Sequence, residues 1–250
     1  MSKRARSESF SSSYGGSQLR SQSVVTPLAR VVKKAVKRAA SAPAIKPKFP
    51  MVRMNMAPFP LRKRVKMDYC ATFQVTPPVV ANSTSVTTFR FNSLFDPDSS
   101  LGGHQPYGFD QWMAMYSRFT CISATARLTI NPSTSAAYSG NFGMNITPLG
   151  APLVTDEQTT IESQYSVWKP YNQTKGPEIC ILKLDVAKYF GIHDVMDDDT
   201  LTGSSTADCF KQALLNCWIS GDLASTPASA FTVVITYDVM VHEPREVTGS

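Results

Sequence analysis

The chain has 250 residues, with 25 Lys and Arg against 19 Asp and Glu, for a formal charge of +6. That figure conceals an uneven division: residues 1–67 hold 16 of the basic residues and one acid, Glu8, a net +15, whereas residues 68–250 hold nine basic and 18 acidic residues, a net −9. No apolar run approaches the roughly 20 residues a membrane-spanning helix needs, and Met1-Ser2-Lys3-Arg4-Ala5-Arg6 runs into Ser rather than an apolar block, so neither membrane insertion nor a secretory leader is expected.

A charge asymmetry of this size points to a polyanionic partner for the basic part, and nucleic acid is the usual one. The remaining 183 residues are enough to bury one sizeable core. Five cysteines, Cys70, Cys121, Cys180, Cys209 and Cys217, lie far apart with no C-x-x-C pair, which argues against a disulfide framework and a zinc knuckle and reads as buried free thiols.

Residues 1–27 are rich in Ser, Gly, Gln and Arg, with little apolar surface to offset the entropy of ordering them, so disorder is expected. From Leu28 to Ala42 there is no Gly or Pro, and Leu28, Val32 and Val36 recur at helical spacing opposite Lys33, Lys34, Lys37 and Arg38. The like-charge pairs Lys33/Lys37 and Lys34/Arg38 disfavour a free helix, and phosphates would remove the repulsion, so this helix is expected to form on nucleic acid. Twelve cations of the arm are the candidate phosphate contacts: Lys3, Arg4, Arg6, Arg20, Arg30, Lys33, Lys34, Lys37, Arg38, Lys46, Lys48 and Arg53. Aromatics are sparse among them, so binding is expected through phosphates, tolerant of sequence and weakened by salt. Prolines at 43, 47, 50, 58 and 60 make an extended connector that ends in Arg62, Lys63, Arg64 and Lys66, a cluster of the nuclear-localisation type or one more phosphate-binding group.

From Asp68 onward the period switches to two, the repeat of a β-strand. Tyr69, Ala71, Phe73 and Val75 alternate with polar residues. So do Ile122, Ala124, Ala126, Leu128 and Ile130, then Tyr138 to Ile146, and finally Phe231, Val233, Ile235, Tyr237, Val239 and Val241. Four weaker stretches, 84–91, 164–169, 178–186 and 213–220, bring the count to eight, with short helices predicted at Phe109–Tyr116 and Val186–Phe190. Eight strands with Pro-, Gly-, Asn- and Ser-rich connections predict an all-β fold: an eight-stranded antiparallel jelly-roll sandwich over 68–250, preceded by a disordered basic arm over 1–67.

Catalytic chemistry finds no constellation. His104, His193 and His242 are isolated from one another, and no nucleophile elbow or phosphate-binding glycine loop is present, so no catalytic residue and no cofactor are expected. The one dense carboxylate group is Asp194, Asp197, Asp198 and Asp199. It is a weak candidate for a Ca²⁺ loop, lacks the EF-hand spacing, and reads better as a solvated acidic loop.

The segment Phe91-Asn92-Ser93-Leu94-Phe95-Asp96-Pro97-Asp98, then Gly102-Gly103-His104-Gln105-Pro106-Tyr107-Gly108-Phe109-Asp110-Gln111-Trp112, then Met115-Tyr116-Ser117-Arg118-Phe119, resembles the capsid proteins of circovirus-like viruses, whose small circular single-stranded DNA encodes a replication initiator. The layout is similar over the whole chain, the motif over about 30 residues. Physically, the glycines and Pro106 set turns, and Asp110 is expected to cap a short helix whose Trp112, Met115 and Tyr116 pack over one end of the sandwich. The resemblance implies self-assembly into an icosahedral homo-oligomer of 60 subunits (T=1) in the virion, with basic arms inside around a single-stranded DNA genome. It also implies passage through host cytoplasm and nucleus on host import receptors, and an unknown host-cell receptor met by outer loops such as 148–163 and 194–208. Sixty arms at +15 carry on the order of 900 charges, the order of the phosphates in a genome of a few thousand nucleotides, with condensed counterions covering the remainder.

Two other readings use the same layout. One is the capsid of a small positive-strand RNA virus, because phosphate contacts do not tell DNA from RNA. The other is a cellular chromatin or ribonucleoprotein factor with a β-sandwich domain, which would stay small where a capsid protein forms uniform particles.

Overall fold

The structure is a computed structural model that describes residues 59–80, 82–99, 103–131, 139–153, 155–172, 176–221 and 229–246. The expected disorder of 1–27, the helix expected over 28–42 and the twelve arm cations from Lys3 to Arg53 lie outside the described residues.

Nine strands follow in chain order: β1 Arg62–Val75, β2 Thr84–Arg90, β3 Tyr116–Asn131, β4 Ser139–Pro148, β5 Ser166–Asn172, β6 Glu178–Asp185, β7 Thr202–Ser204, β8 Ala213–Ser220 and β9 Ser229–Pro244. Between them lie three short helices, α1 Phe109–Met115, α2 Glu157–Glu162 and α3 Val186–Phe190, and two 3-10 turns, Val195–Asp197 and Asp199–Leu201. All pairings are antiparallel. One sheet runs β1-β9-β3-β6 with β7 added beside β3, and the other runs β2-β8-β4-β5. With the three-residue β7 set aside, that is the strand order of an eight-stranded jelly roll: first, eighth, third and sixth strands facing second, seventh, fourth and fifth.

The period-two pattern explains which face is buried. In β1, Val65, Met67 and Tyr69 are buried while Arg64, Lys66 and Asp68 between them are exposed, and in β9 Phe231 to Val241 are buried at every second position. The inward rings of the two sheets meet directly, Phe73 with Phe89 at 5.4 Å and Phe142 with Phe231 at 6.2 Å between centroids. Burying each such side chain contributes roughly 2–3 kcal/mol, so the sandwich is held by aromatics from strands far apart in sequence.

Five details differ from the sequence reading. The first strand begins at Arg62, so the basic cluster expected to close the arm is part of the sheet. In β3 the inward phase is not constant, because a bulge between Cys121 and Ser123 sets two residues against one of β9. Cys121 therefore points inward and is buried, and Ile122 is only half-buried. Helix α1 is not capped by Asp110: its N-cap is Gly108 at φ 87, a left-handed conformation that favours glycine, with no side-chain cap. Its inward side is Phe109 and Met113, with Tyr116 buried beyond it. Helix α2 and strand β7 are additions, and Cys70 is exposed where all five thiols were expected to be buried.

Candidate functional site

The basic cluster sits at the start of β1, an edge strand hydrogen-bonded on one side to β9. Alternation sends Arg62, Arg64 and Lys66 to the outer face of the five-stranded sheet, opposite Val65 and Met67. Arg62 lies beside His242 of β9, and His242 lies beside Arg118 of β3, so one row of the sheet reads Arg62, His242, Arg118. Burial disfavours the charged form of His242, and flanking Arg62 and Arg118 act in the same direction against Glu243, so its pKa is lowered. Its Nε2 lies 3.1 Å from the Thr120 hydroxyl. Two cations are matched: Arg64 with Asp238 at 2.7 Å and Arg118 with Glu243 at 3.0 Å. Further along the same face Arg127 and Lys183 are exposed from β3 and β6.

The four-stranded sheet carries the opposite sign on its outer side. The connection from β4 to β5, residues 149–165, contains Asp156, Glu157 and Glu162 and no Lys or Arg. Glu157 of α2 takes hydrogen bonds from Asn141 Nδ2 at 2.6 Å and Ser220 Oγ at 2.9 Å, both on the outward side of β4 and β8. Asp156 caps α2 by accepting from the Thr159 N–H, which lowers its pKa. The two outer faces of the sandwich thus differ in charge.

The segment carrying the family-like motif braces the end of the sandwich between them. Asn92 is buried and bridges main chain: its Nδ2 donates to the Lys211 carbonyl at 2.9 Å and its Oδ1 accepts from the Ala213 N–H at 2.8 Å. Arg90 is a hub for the same region, pairing with Asp96 at 3.1 Å and Asp208 at 3.2 Å while donating to the Asp96 carbonyl at 2.6 Å. The His104 ring spans two main-chain oxygens, Nδ1 to Gln105 at 2.8 Å and Nε2 to Cys70 at 2.9 Å, and lies 4.8 Å from the Tyr69 ring. Tyr116 is buried and donates its hydroxyl to the Pro60 carbonyl at 3.1 Å, tying down the chain just before β1. These residues hold loops; they are not aligned as nucleophile, base and oxyanion donor. The sequence marked the segment as structural, but the partners of Asn92 and Arg90 come from 110 or more positions away in several cases, so no local signal named them.

The four aspartates do not converge. Asp194 caps the first 3-10 turn by accepting from Met196 N–H, and Asp198 caps the second by accepting from Thr200 N–H and the Thr200 hydroxyl. Asp198 also pairs with Lys211 at 2.8 Å; the Lys211 hydrogen bond, then those of Thr200, hold its carboxyl down to about 2. Asp197 and Asp199 are separate residues of the two turns. Among the described residues no group of three or more His, Cys, Asp or Glu side chains is placed to share a metal ion. No helix among the described residues is long and apolar enough to cross a membrane.

No protein-family model and no curated protein matches the chain. Among solved structures, the chain is similar to tobacco necrosis virus at 14% identity over 75% of this chain and 85% of that one, with a TM-score of 0.44. It is also similar to the mud crab tombus-like virus at 10% identity over 86% and 100%, TM-score 0.44, and to the decameric BFDV capsid protein at 6% identity over 74% and 99%, TM-score 0.41. The jelly-roll assignment rests on the strand order itself.

Proposed function

We propose that the protein is a viral capsid protein: the jelly roll assembles with copies of itself into an icosahedral shell of 60 subunits, and the basic arm packages a single-stranded DNA genome. The observation that carries this reading is the division of charge along the chain, +15 over residues 1–67 against −9 over the rest, joined to a jelly roll. Arms of that charge collect and condense a polyanion, releasing counterions, while the net-acidic body is free to meet its copies side to side. The circovirus-like motif from Phe91 to Phe119 supports DNA over RNA.

Arg62, Lys63, Arg64 and Lys66 serve nuclear import in this reading, on a chain whose β1 has not yet paired with β9. An import receptor needs the main chain that the folded sheet engages from Arg62 to Val75. The host-cell receptor is met by an outer loop of the shell, residues 148–163.

The test compares the full chain with a form lacking residues 1–58, which leaves β1 complete, by negative-stain electron microscopy and the 260/280 nm absorbance ratio. Uniform particles rich in nucleic acid from the full chain, and empty or absent particles from the shortened one, are expected; their content is digested by DNase and resists RNase. Small species from both chains at every salt concentration would sink the capsid reading in favour of a chromatin factor, and RNase-sensitive content would move it to an RNA virus.

A further inference from the structure

We infer that the outer face of the five-stranded sheet is itself a nucleic-acid contact surface, with Arg62, Lys66, Arg127 and Lys183 meeting phosphates of the packaged strand. This rests on the capsid reading and adds to it the face that turns inward and the folded residues that touch the genome.

Strand register places all four on one side: Arg62 and Lys66 on β1, Arg127 on β3 beside Val234, and Lys183 on β6 beside Thr125. All four are exposed while their strand neighbours Val65, Met67, Ala126, Leu128 and Leu184 are buried in the core. None of the four forms an ion pair among the described residues, whereas Arg64, Arg118 and Lys169 do. The acids on this face are partly engaged already, Asp238 by Arg64, Glu243 by Arg118, Asp185 by Lys188, and Asp68 by the Thr236 hydroxyl at 2.6 Å. The cations left over are spread across three strands on a sheet face, the form a flexible strand of phosphates can follow without base recognition. Over the opposite sheet Glu162 is exposed, Asp156 and Glu157 are half-buried, and the connection 149–165 holds no Lys or Arg, so a polyanion approaching the sandwich is attracted to one face and not to the other.

The experiment measures binding of the full chain to a fluorescent 30-nucleotide oligothymidylate between about 50 and 200 mM KCl. Single-strand binding loses roughly 0.7 in log–log slope per phosphate contact removed, so replacing Arg62, Lys66, Arg127 and Lys183 together with Gln is expected to flatten the slope by about 3. Arg127→Gln with Lys183→Gln alone is expected to give half that loss, which keeps the test sound if the fourfold variant assembles poorly. Lys169→Gln with Lys188→Gln removes the same charge from two cations that Glu178 and Asp185 already neutralise, and is expected to leave the slope unchanged. A wild-type slope in the Arg127/Lys183 variant, or an equal loss in the control pair, would overturn the inference while leaving arm-driven packaging intact. Absence of oligonucleotide binding and of particles in the unaltered chain would instead overturn the capsid reading and this inference with it.

Discussion

Arg64 grips Asp238 with both prongs of its guanidinium, Nε to Oδ1 at 2.7 Å and Nη2 to Oδ2 at 2.8 Å, and so fastens the outer face of the first strand to the last. The Arg64 hydrogen bond, its charge and the nearby Lys66 hold the Asp238 carboxyl below the usual carboxylate range, against a smaller opposing effect of burial. Because 60% of the Arg64 side chain is in solvent, water screens the pair and its contribution to stability is small. A depressed folded pKa gives stability that is present above the unfolded value near 4 and lost as pH falls through the folded one. Asp238→Asn is therefore expected to lower the urea midpoint slightly at pH 7 and not at all once the pH is well below 4. A gap that persists undiminished at pH 2–3 would contradict this origin.

Asn92 is a stronger dependency because it is buried. Asn92→Ala leaves the Lys211 carbonyl and the Ala213 N–H without the partners they have at 2.9 and 2.8 Å, and each orphaned buried group costs about 1–3 kcal/mol. A loss of about 3 kcal/mol is expected from denaturant unfolding, with unchanged dependence on denaturant. Asn92→Asp keeps the acceptor for Ala213 but sets a carboxylate oxygen against the Lys211 carbonyl, so it is not expected to rescue. A wild-type midpoint in either variant would show that water replaces the bridge without loss.

How far the sequence foretold this architecture depended on whether a feature is local. Alternation of apolar and polar residues marks four of the eight principal strands clearly and the other four weakly, and short helices stand at the two predicted places, Phe109–Met115 and Val186–Phe190. The β3 bulge was missed because both phases of Cys121-Ile122 are apolar enough to fit, and only pairing with β9 decides which turns inward. The strand under Arg62 to Lys66 is hard to see because four cations in five positions mask it; Val65 and Met67, the two inward residues, are its only local signal. Asp198 shows the converse. Four aspartates in six residues resemble a metal loop, yet Thr200 of the same turn and Lys211, 13 positions away, take up the Asp198 oxygens.

Gly143 tests how closely the last strands of the four-stranded sheet are packed. It lies opposite Trp168, and a Cβ at that position would sit 2.3 Å from the Val167 carbonyl oxygen and 2.9 Å from the Trp168 Cα. Both obstacles belong to or directly join the backbone of β5, so no rotamer change makes room, and overpacking of this kind costs about 1–3 kcal/mol. Gly143→Ala is expected to detach the edge strand locally: amide hydrogens shared between β4 and β5 exchange faster, while those between β3 and β9 hardly change. Unaltered protection across β4 and β5 would mean that β5 shifts without loosening.

The cysteines separate by exposure in a way that one titration reads. Cys70 is exposed on β1, whereas Cys121, Cys180, Cys209 and Cys217 are buried. Burial pushes the Cys180 thiol up to about 11 and the Cys209 thiol up to about 12, and raises Cys121 and Cys217 as well. Thiolate is the reactive form, so at pH 8 the native, dissociated chain is expected to release one equivalent of thionitrobenzoate quickly and the other four only on unfolding. Cys70→Ser removes the fast equivalent and nothing else. In particles assembled without nucleic acid the same titration reports on the β1 edge, the unpaired side of the five-stranded sheet: a Cys70 that becomes slow on assembly places that edge at a contact between subunits, and one that stays fast leaves it open to solvent. Two or more fast thiols in the native chain would contradict the buried placement of the other four.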